Sequence, residues 1–475
     1  MSQFSFHNIL FKSTGLFGVS KLLTMAISVI TNKVAAYFIG VEGIGKVGLL
    51  ENTVNLIQSI TTLGVTQSGV REIAVLNDAK KEQRLLQILY KWAWISGLAG
   101  VVICLLFANT MSQLVFKNEN HKLVFLAFSV YFLFASVSSI RLAVLTGMRK
   151  VNSLVLYQLL FAIFSAISTI ALYYFFKEQG IVPSFIITSF IGFLLSLYFT
   201  RNISITNTKL PNKEFVNALQ PIIKLGLLLS VNAIFGQLCF YIIRWFLQNN
   251  SEEALGFYQV SNTFLVSYLG VVFITMSKDF YPRLTNYEKN TKEFNNLVND
   301  QTEIALFIIV PAILALYLVL PTLIPILYSN TFLPVLNILH IGLFSVILKG
   351  VAWSIGYIAL AKGNKSLFFK QNIIGDALNI IFSIILYHYL NLQGLGIAIA
   401  LMFLISCAYT YWTVARTYQF RFRTDTKKVI AISFLFGSVA IAAVFYTGFS
   451  ISNPILIITF IVAVFYSVYQ LKQKL

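Results

Sequence analysis

The chain has 475 residues, 57% of them hydrophobic and only 11% charged, with a mean hydropathy of +0.79. Soluble chains carry about 25% charged residues, so a water-soluble globular protein is excluded. The formal charge of +18 does not mark a nucleic-acid binder either. Its basic residues recur in short clusters between apolar runs, the pattern that encodes membrane topology.

A membrane-spanning helix needs about 20 mainly apolar residues. In chain order the sequence predicts fourteen spans, at 14–39, 47–70, 89–111, 122–145, 154–175, 183–199, 221–247, 255–276, 302–328, 335–361, 367–390, 394–415, 429–447 and 454–471. No signal-peptidase site follows the first run, which reads as a retained span. The second is strongly amphipathic. Connections after even-numbered spans carry Arg71, Lys80, Lys81 and Arg84, then Arg149 and Lys150, then Arg201, Lys209 and Lys213. They continue with Lys278, Arg283, Lys289 and Lys292, then Lys362 and Lys365, then Arg416, Arg421, Arg423, Lys427 and Lys428. The opposite connections hold Lys46, Lys117, Lys122 and Lys177, and one of them, NNSEE at 249–253, is acidic. The bias predicts an all-α polytopic chain with both termini cytoplasmic. Cys104, Cys239 and Cys407 lie far apart inside apolar runs, without disulfide or metal spacing.

Compared with itself at an offset of 211, the chain places Gly15 on Gly226, Lys33 on Arg244, Glu42 on Glu253 and Gly45 on Gly256. Further along, at 213, Ser153-Leu154 matches Ser366-Leu367 and Gln158 matches Gln371. Basic, acidic and glycine residues are rare types here, so these matches outweigh coincidences among apolar residues. Six spans separate the copies, so both halves enter the membrane the same way up, as parallel repeats. The predicted organisation is an N-lobe at 1–200, an inter-lobe linker at 201–220, a C-lobe at 221–415 and two further spans at 416–475. The linker TRNISITNTKLPNKEF is polar and contains Pro211.

Several spans carry polar stripes. Lys21, Thr24, Ser28 and Thr31 recur along the first, and Glu51, Asn55, Gln58, Thr62 and Thr66 along the second. Asn232, Gly236, Phe240 and Arg244 recur in the seventh, and Asn372, Asp376, Asn379 and Ser383 in the eleventh. Such spacing puts polar groups on one helix face, and in lipid that face turns to protein or water. For a single hydroxyl, helix–helix hydrogen bonding explains the placement. For the first two stripes together a water-filled cavity explains it better. Lys21, Lys33, Arg244 and Lys349 outnumber Glu51 and Asp376 within spans. A basic cavity suits a phosphate or pyrophosphate, which Lys and Arg meet with charge-assisted hydrogen bonds. Snorkelling of Lys33 and Arg244 would take both to the face that the loop charges avoid. Lys349 and Asp376 form a candidate pair across neighbouring spans, and Asp376 and Glu51 are the candidate coupling groups. Asn55, Gln58, Asn232, Asn262 and Asn372 complete the predicted polar lining.

GVEGIGKV at 40–47 nearly spells a phosphate-binding loop, but Val47 stands where that loop needs a hydroxyl and no strand precedes it. It is read as an interhelical turn. His7, His121, His340 and His388 are scattered, and no nucleophile–base or carboxylate pair appears. No enzyme, metal site or cofactor is predicted.

NKVAAYFIGVEGIGKVGLLENTVNLIQSITTLGVTQSGVREIA at 32–74 resembles the Wzx-type O-antigen or polysaccharide translocases of the MOP flippase superfamily. FYIIRWFLQNNSEEALGFYQVSNTF through KDFYPRL at 240–284 and GYIALAKGNKSLFF at 356–369 carry the same resemblance, which covers spans 1–12. It implies two six-helix lobes around a central cavity. It also implies movement of undecaprenyl-pyrophosphate-linked oligosaccharide between leaflets of the bacterial inner membrane by alternating access. Lys33 and Arg244 fall on the basic positions of the first and seventh spans. Fourteen spans are more than such translocases commonly have and match the related lipid II flippases, whose dense arginine cluster is absent here.

The leading expectation is therefore a flippase for a lipid-linked surface-polysaccharide unit. Its expected partners are that substrate, membrane lipids and the polysaccharide polymerase machinery, with no nucleic acid. The alternatives are a cation-coupled drug exporter of the MATE type, which wants more N-lobe carboxylates than Glu51, and a lipid II flippase. A non-transporting scaffold would need no polar stripes.

Overall fold

The structure, a computed structural model, describes residues 3–76, 78–110, 112, 122–203, 211–287, 290–450 and 452–474. Lys117, His121, Lys209, Lys289 and positions 204–210 of the predicted linker lie outside them. Among the described residues every regular element is helical, so apart from the helix ends backbone N–H groups find their carbonyls within their own segments. The helices are α1 (3–39), α2 (41–62, resumed as Val65–Val75), α3 (Ala79–Leu106), α4 (Lys122–Gly147), α5 (Val151–Phe176) and α6 (Ile181–Thr200). Then come α7 (Asn212–Asn250), α8 (Glu252–Asn262, a π-helical turn Thr263–Tyr268, and Gly270–Asn286), α9 (Thr291–Leu327) and α10 (Val335–Ala361). The last are α11 (365–390), α12 (392–418), α13 (Thr424–Thr447) and α14 (Pro454–Lys474).

Among the described residues eleven helical segments are long and apolar enough to cross a membrane, and three of these run to 43, 50 and 54 residues. At 1.5 Å per residue each of the three is roughly twice the hydrocarbon thickness. Each divides where the backbone leaves the helix: at Gly40 (φ 66°, ψ −167°), at the 3-10 turn Lys177–Gly180, and at Asn391 (φ 48°, ψ −133°). The fourteen predicted spans are therefore present. Large apolar side chains such as Leu106, Phe175 and Phe445 are more than 70% exposed, as lipid-facing residues are.

Several helices overrun their predicted spans. α7 starts at Asn212 rather than 221, and α9 at Thr291 rather than 302. Hydropathy registers the part that sits in hydrocarbon, whereas a helix begins where its first N–H groups are satisfied. For α9 that place is Asn290, whose side chain accepts from the Glu293 N–H at 3.3 Å. Positions 212–220 of the predicted linker are accordingly helical.

By packing, the chain forms two compact units, Met1–Tyr241 and Ile242–Leu475. The boundary falls inside α7, because the first turns of that helix join the core of the first unit. Phe215, Leu219 and Ile222 pack with Val65, Ile73, Leu86, Leu89 and Val144. Lys91 donates to Asn212 Oδ1 at 2.9 Å and stands 4.5 Å from the Phe215 ring centroid. Arg84 pairs with Glu214. α2 breaks at Leu63-Gly64 where α7 crosses it. A Cβ on Gly64 (φ 69°) would collide with the Gly226 carbonyl oxygen, and one on Gly226 would collide with that of Leu63. Only glycine permits this approach. The second unit is centred on Phe280, Leu284, Phe294, Val298, Ile355 and Ile358, with Val414 and Phe420.

The repeat is visible in the turns. Gly40 closes α1 and Ser251 precedes α8, at the spacing that the sequence offset requires. In the later half the backbone moves the register by one position. Arg149 (φ 54°) and Gly363 (φ 68°) hold the same place in their turns, one position further apart than the Ser-Leu and Gln matches implied.

Candidate functional site

In the first unit Lys33 is half-buried seven residues before the Gly40 break, and Lys21 is exposed three turns earlier. Two hydroxyls of their stripe are satisfied within the helix. Thr24 donates to the Lys21 carbonyl at 3.0 Å, and Thr31 to that of Ile27 at 2.9 Å. On α2, Glu51 is exposed while Asn55 and Gln58 are half-buried. Their backbone carbonyls accept from Ser59 and Thr62, each at 2.7 Å. Asn232 on α7 has a buried Oδ1 with no hydrogen-bond partner among the described residues. Buried acceptors are nearly always paired, so this oxygen is a candidate ligand contact.

Lys46, the lysine of the near-phosphate loop, donates to Glu178 Oε2 at 2.9 Å and is 12% exposed. It ties the α1–α2 turn to the α5–α6 turn, as expected of an interhelical connection.

In the second unit Arg244 is 6% exposed. Its guanidinium donates to Gln259 Oε1 at 2.7 Å and stands 5.8 Å from the Tyr258 ring centroid. Asn262 donates to the Tyr258 carbonyl at 3.0 Å and ends the helix ahead of the π-turn Thr263–Tyr268; such turns are frequent at functional sites. Lys349 stands over the rings of Phe273 and Phe403, 5.6 and 5.9 Å from their centroids. Aromatic faces therefore meet its charge from α8 and α12. On α11, Asn372 is exposed and donates to the Phe368 carbonyl at 2.9 Å. Asp376 is half-buried on the same face. Gln371 bonds Thr413 of α12 at 2.8 Å, and Ser383 bonds Asn379 at 3.3 Å.

Lys21, Lys33, Glu51, Asn55, Gln58 and Asn232 thus belong to the first unit, and Arg244, Asn262, Lys349, Asn372 and Asp376 to the second. Arg141 and Glu303 also lie within predicted spans and belong to no predicted site. Arg141 of α4 donates to Thr200 at 2.5 Å and stacks on the Tyr90 ring at 4.6 Å. Glu303 of α9 is 4% exposed, accepts from Arg423 at 3.2 Å, and is hydrogen-bonded by Thr426. Arg423 also pairs with Asp300 at 2.5 Å, and its N–H donates to Asn299 Oδ1 at 2.9 Å. Burial works against the Arg423 charge, but the Asp300 and Glu303 carboxylates hold its guanidinium above the ordinary arginine range. This clasp docks α13 on α9. The signal for both residues was a charge inside an apolar run, the same signal that marked Lys33.

A family model described as "Polysaccharide biosynthesis protein" matches residues 34–337. No curated protein matches the chain by sequence. Among solved structures, "Lipid II flippase MurJ, inward closed conformation" is 16% identical with a TM-score of 0.71, covering 98% of this chain and 99% of that one. An inward-facing multidrug resistance MATE family transporter of the MOP superfamily is 15% identical with a TM-score of 0.66, covering 89% and 96%. A MOP superfamily transporter from Pyrococcus furiosus, whose binding pocket has reversed polarity, is 14% identical with a TM-score of 0.60, covering 89% and 96%. These likenesses establish the fold, while the sequence match extends over most of both repeats. The chain belongs to the polysaccharide biosynthesis protein family and has the fold of the MOP superfamily transporters.

Proposed function

We propose that this protein flips an undecaprenyl-pyrophosphate-linked oligosaccharide, a repeat unit of O-antigen or another surface polysaccharide, from the cytoplasmic to the outer leaflet of the bacterial inner membrane. Alternating access carries the substrate across, and both termini are cytoplasmic. The observation that supports this most is the pair of basic residues at repeat-equivalent depths, Lys33 and Arg244, in a polysaccharide biosynthesis chain. A cation within a span is costly and is retained for a reason. Pyrophosphate is the substrate group that charged Lys and Arg side chains suit. Amides such as Asn55, Gln58 and Asn232 serve the sugars, and the polyprenyl tail remains in lipid.

Deletion of the gene should leave a polyprenyl-pyrophosphate glycan in the inner leaflet. Lys33→Ala and Arg244→Ala should each block surface glycan while leaving membrane insertion intact, and Lys33→Arg should retain more export than Lys33→Ala. Normal surface glycan from both alanine variants at normal protein level would remove these residues from the mechanism. The MATE-like neighbour keeps a second reading in view, a cation-coupled exporter. Drug hypersensitivity with intact glycan after deletion would favour it.

A further inference from the structure

The turns between α4 and α5 and between α10 and α11 share one backbone. Met148 N–H donates to the Val144 carbonyl, Arg149 to Thr146, Lys150 to Leu145 and Val151 to Arg149. In the second repeat Lys362 donates to Ile358, Gly363 to Leu360, Asn364 to Ala359 and Lys365 to Gly363. Every pair is displaced by the same interval, the one that separates Arg149 from Gly363. The dihedrals agree as well, with Lys150 at φ −77°, ψ 66° and Asn364 at φ −83°, ψ 77°.

The second repeat fills this backbone with the residues that suit it. Gly363 takes the left-handed position, and Asn364 caps α11 by accepting from the Leu367 N–H at 3.0 Å. The first repeat places Arg149 at the left-handed position and Lys150, with no side-chain cap, at the start of α5. Both choices disfavour the local fold. Topology does not require them, because the second turn carries its cations at Lys362 and Lys365, on either side of the Gly-Asn pair. Loop charge orients a span wherever in the loop it sits.

What the first turn has in exchange is a cavity of about 680 Å³, whose lining includes Arg149, Lys150, Glu82, Gln83 and Asn202 over an apolar floor with Ile73 and Leu86. That volume suits a small ligand. Among the described residues neither Arg149 nor Lys150 is in an ion pair with a carboxylate. α4 ends at Gly147 and α5 begins at Val151, so two spans stop at the cavity and set it at headgroup level.

We propose that this cavity binds the phosphate-bearing headgroup of an anionic membrane lipid. Arg149 and Lys150 are the charge-assisted donors to its phosphodiester. Glu82, the one carboxylate of the lining, is an acceptor for a headgroup hydroxyl. The site lies on the first unit alone.

The test uses the full chain purified in neutral detergent, with its unfolding temperature followed as phosphatidylglycerol or phosphatidylcholine is added. The double variant Arg149→Gly with Lys150→Asn copies the turn of the second repeat and should unfold no earlier than the parent without lipid. Phosphatidylglycerol should stabilise the parent selectively, and the double variant should need on the order of tenfold more of it. Arg149→Asn, which tolerates left-handed backbone, should weaken the response in the same direction. An undiminished response in both variants, or an equal response of the parent to phosphatidylcholine, overturns the proposal. A response to inorganic pyrophosphate as large as that to the lipid, lost in the double variant, overturns the assignment to a lipid.

Discussion

Lys177 and Asn391, set apart by the same interval as Arg149 and Gly363, adopt one rare backbone conformation: φ 49°, ψ −129° at Lys177 and φ 48°, ψ −133° at Asn391. Each closes a hairpin between two spans, α5–α6 and α11–α12. Each is followed three residues later by a glycine, Gly180 or Gly394, whose Cβ would collide with the carbonyl oxygen of Leu172 or Leu386. The two turns have one geometry and different residues, so the repeat conserves a backbone path that sequence identity hides.

Neither Lys nor Asn is favoured at such dihedrals. Lys177→Gly and Asn391→Gly should each raise the unfolding temperature in detergent, by an increment equivalent to about 0.5–1 kcal/mol. Gly180→Ala and Gly394→Ala should lower it by roughly 1–3 kcal/mol, as overpacking against rigid backbone does. A neutral outcome for both alanine variants would show that the hairpins relax without cost.

The crossing of α2 and α7 should be the least tolerant place in the first unit. Gly64→Ala meets both an unfavourable φ and the Gly226 carbonyl, so expression of folded protein should fall more than for Gly226→Ala. Trp92→Phe probes the same break more gently. Its indole N–H donates to the Thr62 carbonyl at 3.2 Å, a bond worth about 1 kcal/mol. The unfolding temperature in detergent and the yield of folded protein read out both effects.

The clasp of Arg423 on Asp300 and Glu303 should hold the last two helices in place. Arg423→Ala leaves the Glu303 carboxylate buried without its cation, which costs roughly 1–3 kcal/mol once the partial exposure of the arginine is allowed for. Adding Glu303→Leu with Thr426→Val should recover most of the loss, because a dry apolar contact replaces an uncompensated charge. Protease sensitivity of the 419–424 connection is the direct measurement.

Arg244 has a structural partner as well as a proposed functional one, and the two can be separated. Gln259→Ala removes the acceptor at 2.7 Å and should destabilise the second unit by about 1–2 kcal/mol. It should leave more surface glycan than Arg244→Ala when both are compared at equal protein level. Equal loss of glycan would reduce Arg244 to a brace for the α7–α8 hairpin.

Much of the architecture was legible in the chain. The number of spans follows from hydrocarbon thickness and hydropathy, both of which are local. The depth of Lys33 and Arg244 follows from counting residues to Gly40 and Ser251. Helix starts such as Asn212 and Thr291 were not legible, because caps and polar helical turns lie outside what hydropathy registers.

By itself the sequence determined an all-helical chain of fourteen spans, its repeat, and cations at matched depths, because these depend on composition and periodicity along one dimension. Tertiary structure alone decided that the first turns of α7 pack with the first unit through the contact of Gly64 and Gly226. It also decided that Arg244 is met by Gln259, that Lys349 is met by Phe273 and Phe403, and that Glu303 belongs to Arg423. Which partner meets a buried charge depends on distances across 15 to 120 residues of chain, and no local pattern carries that information.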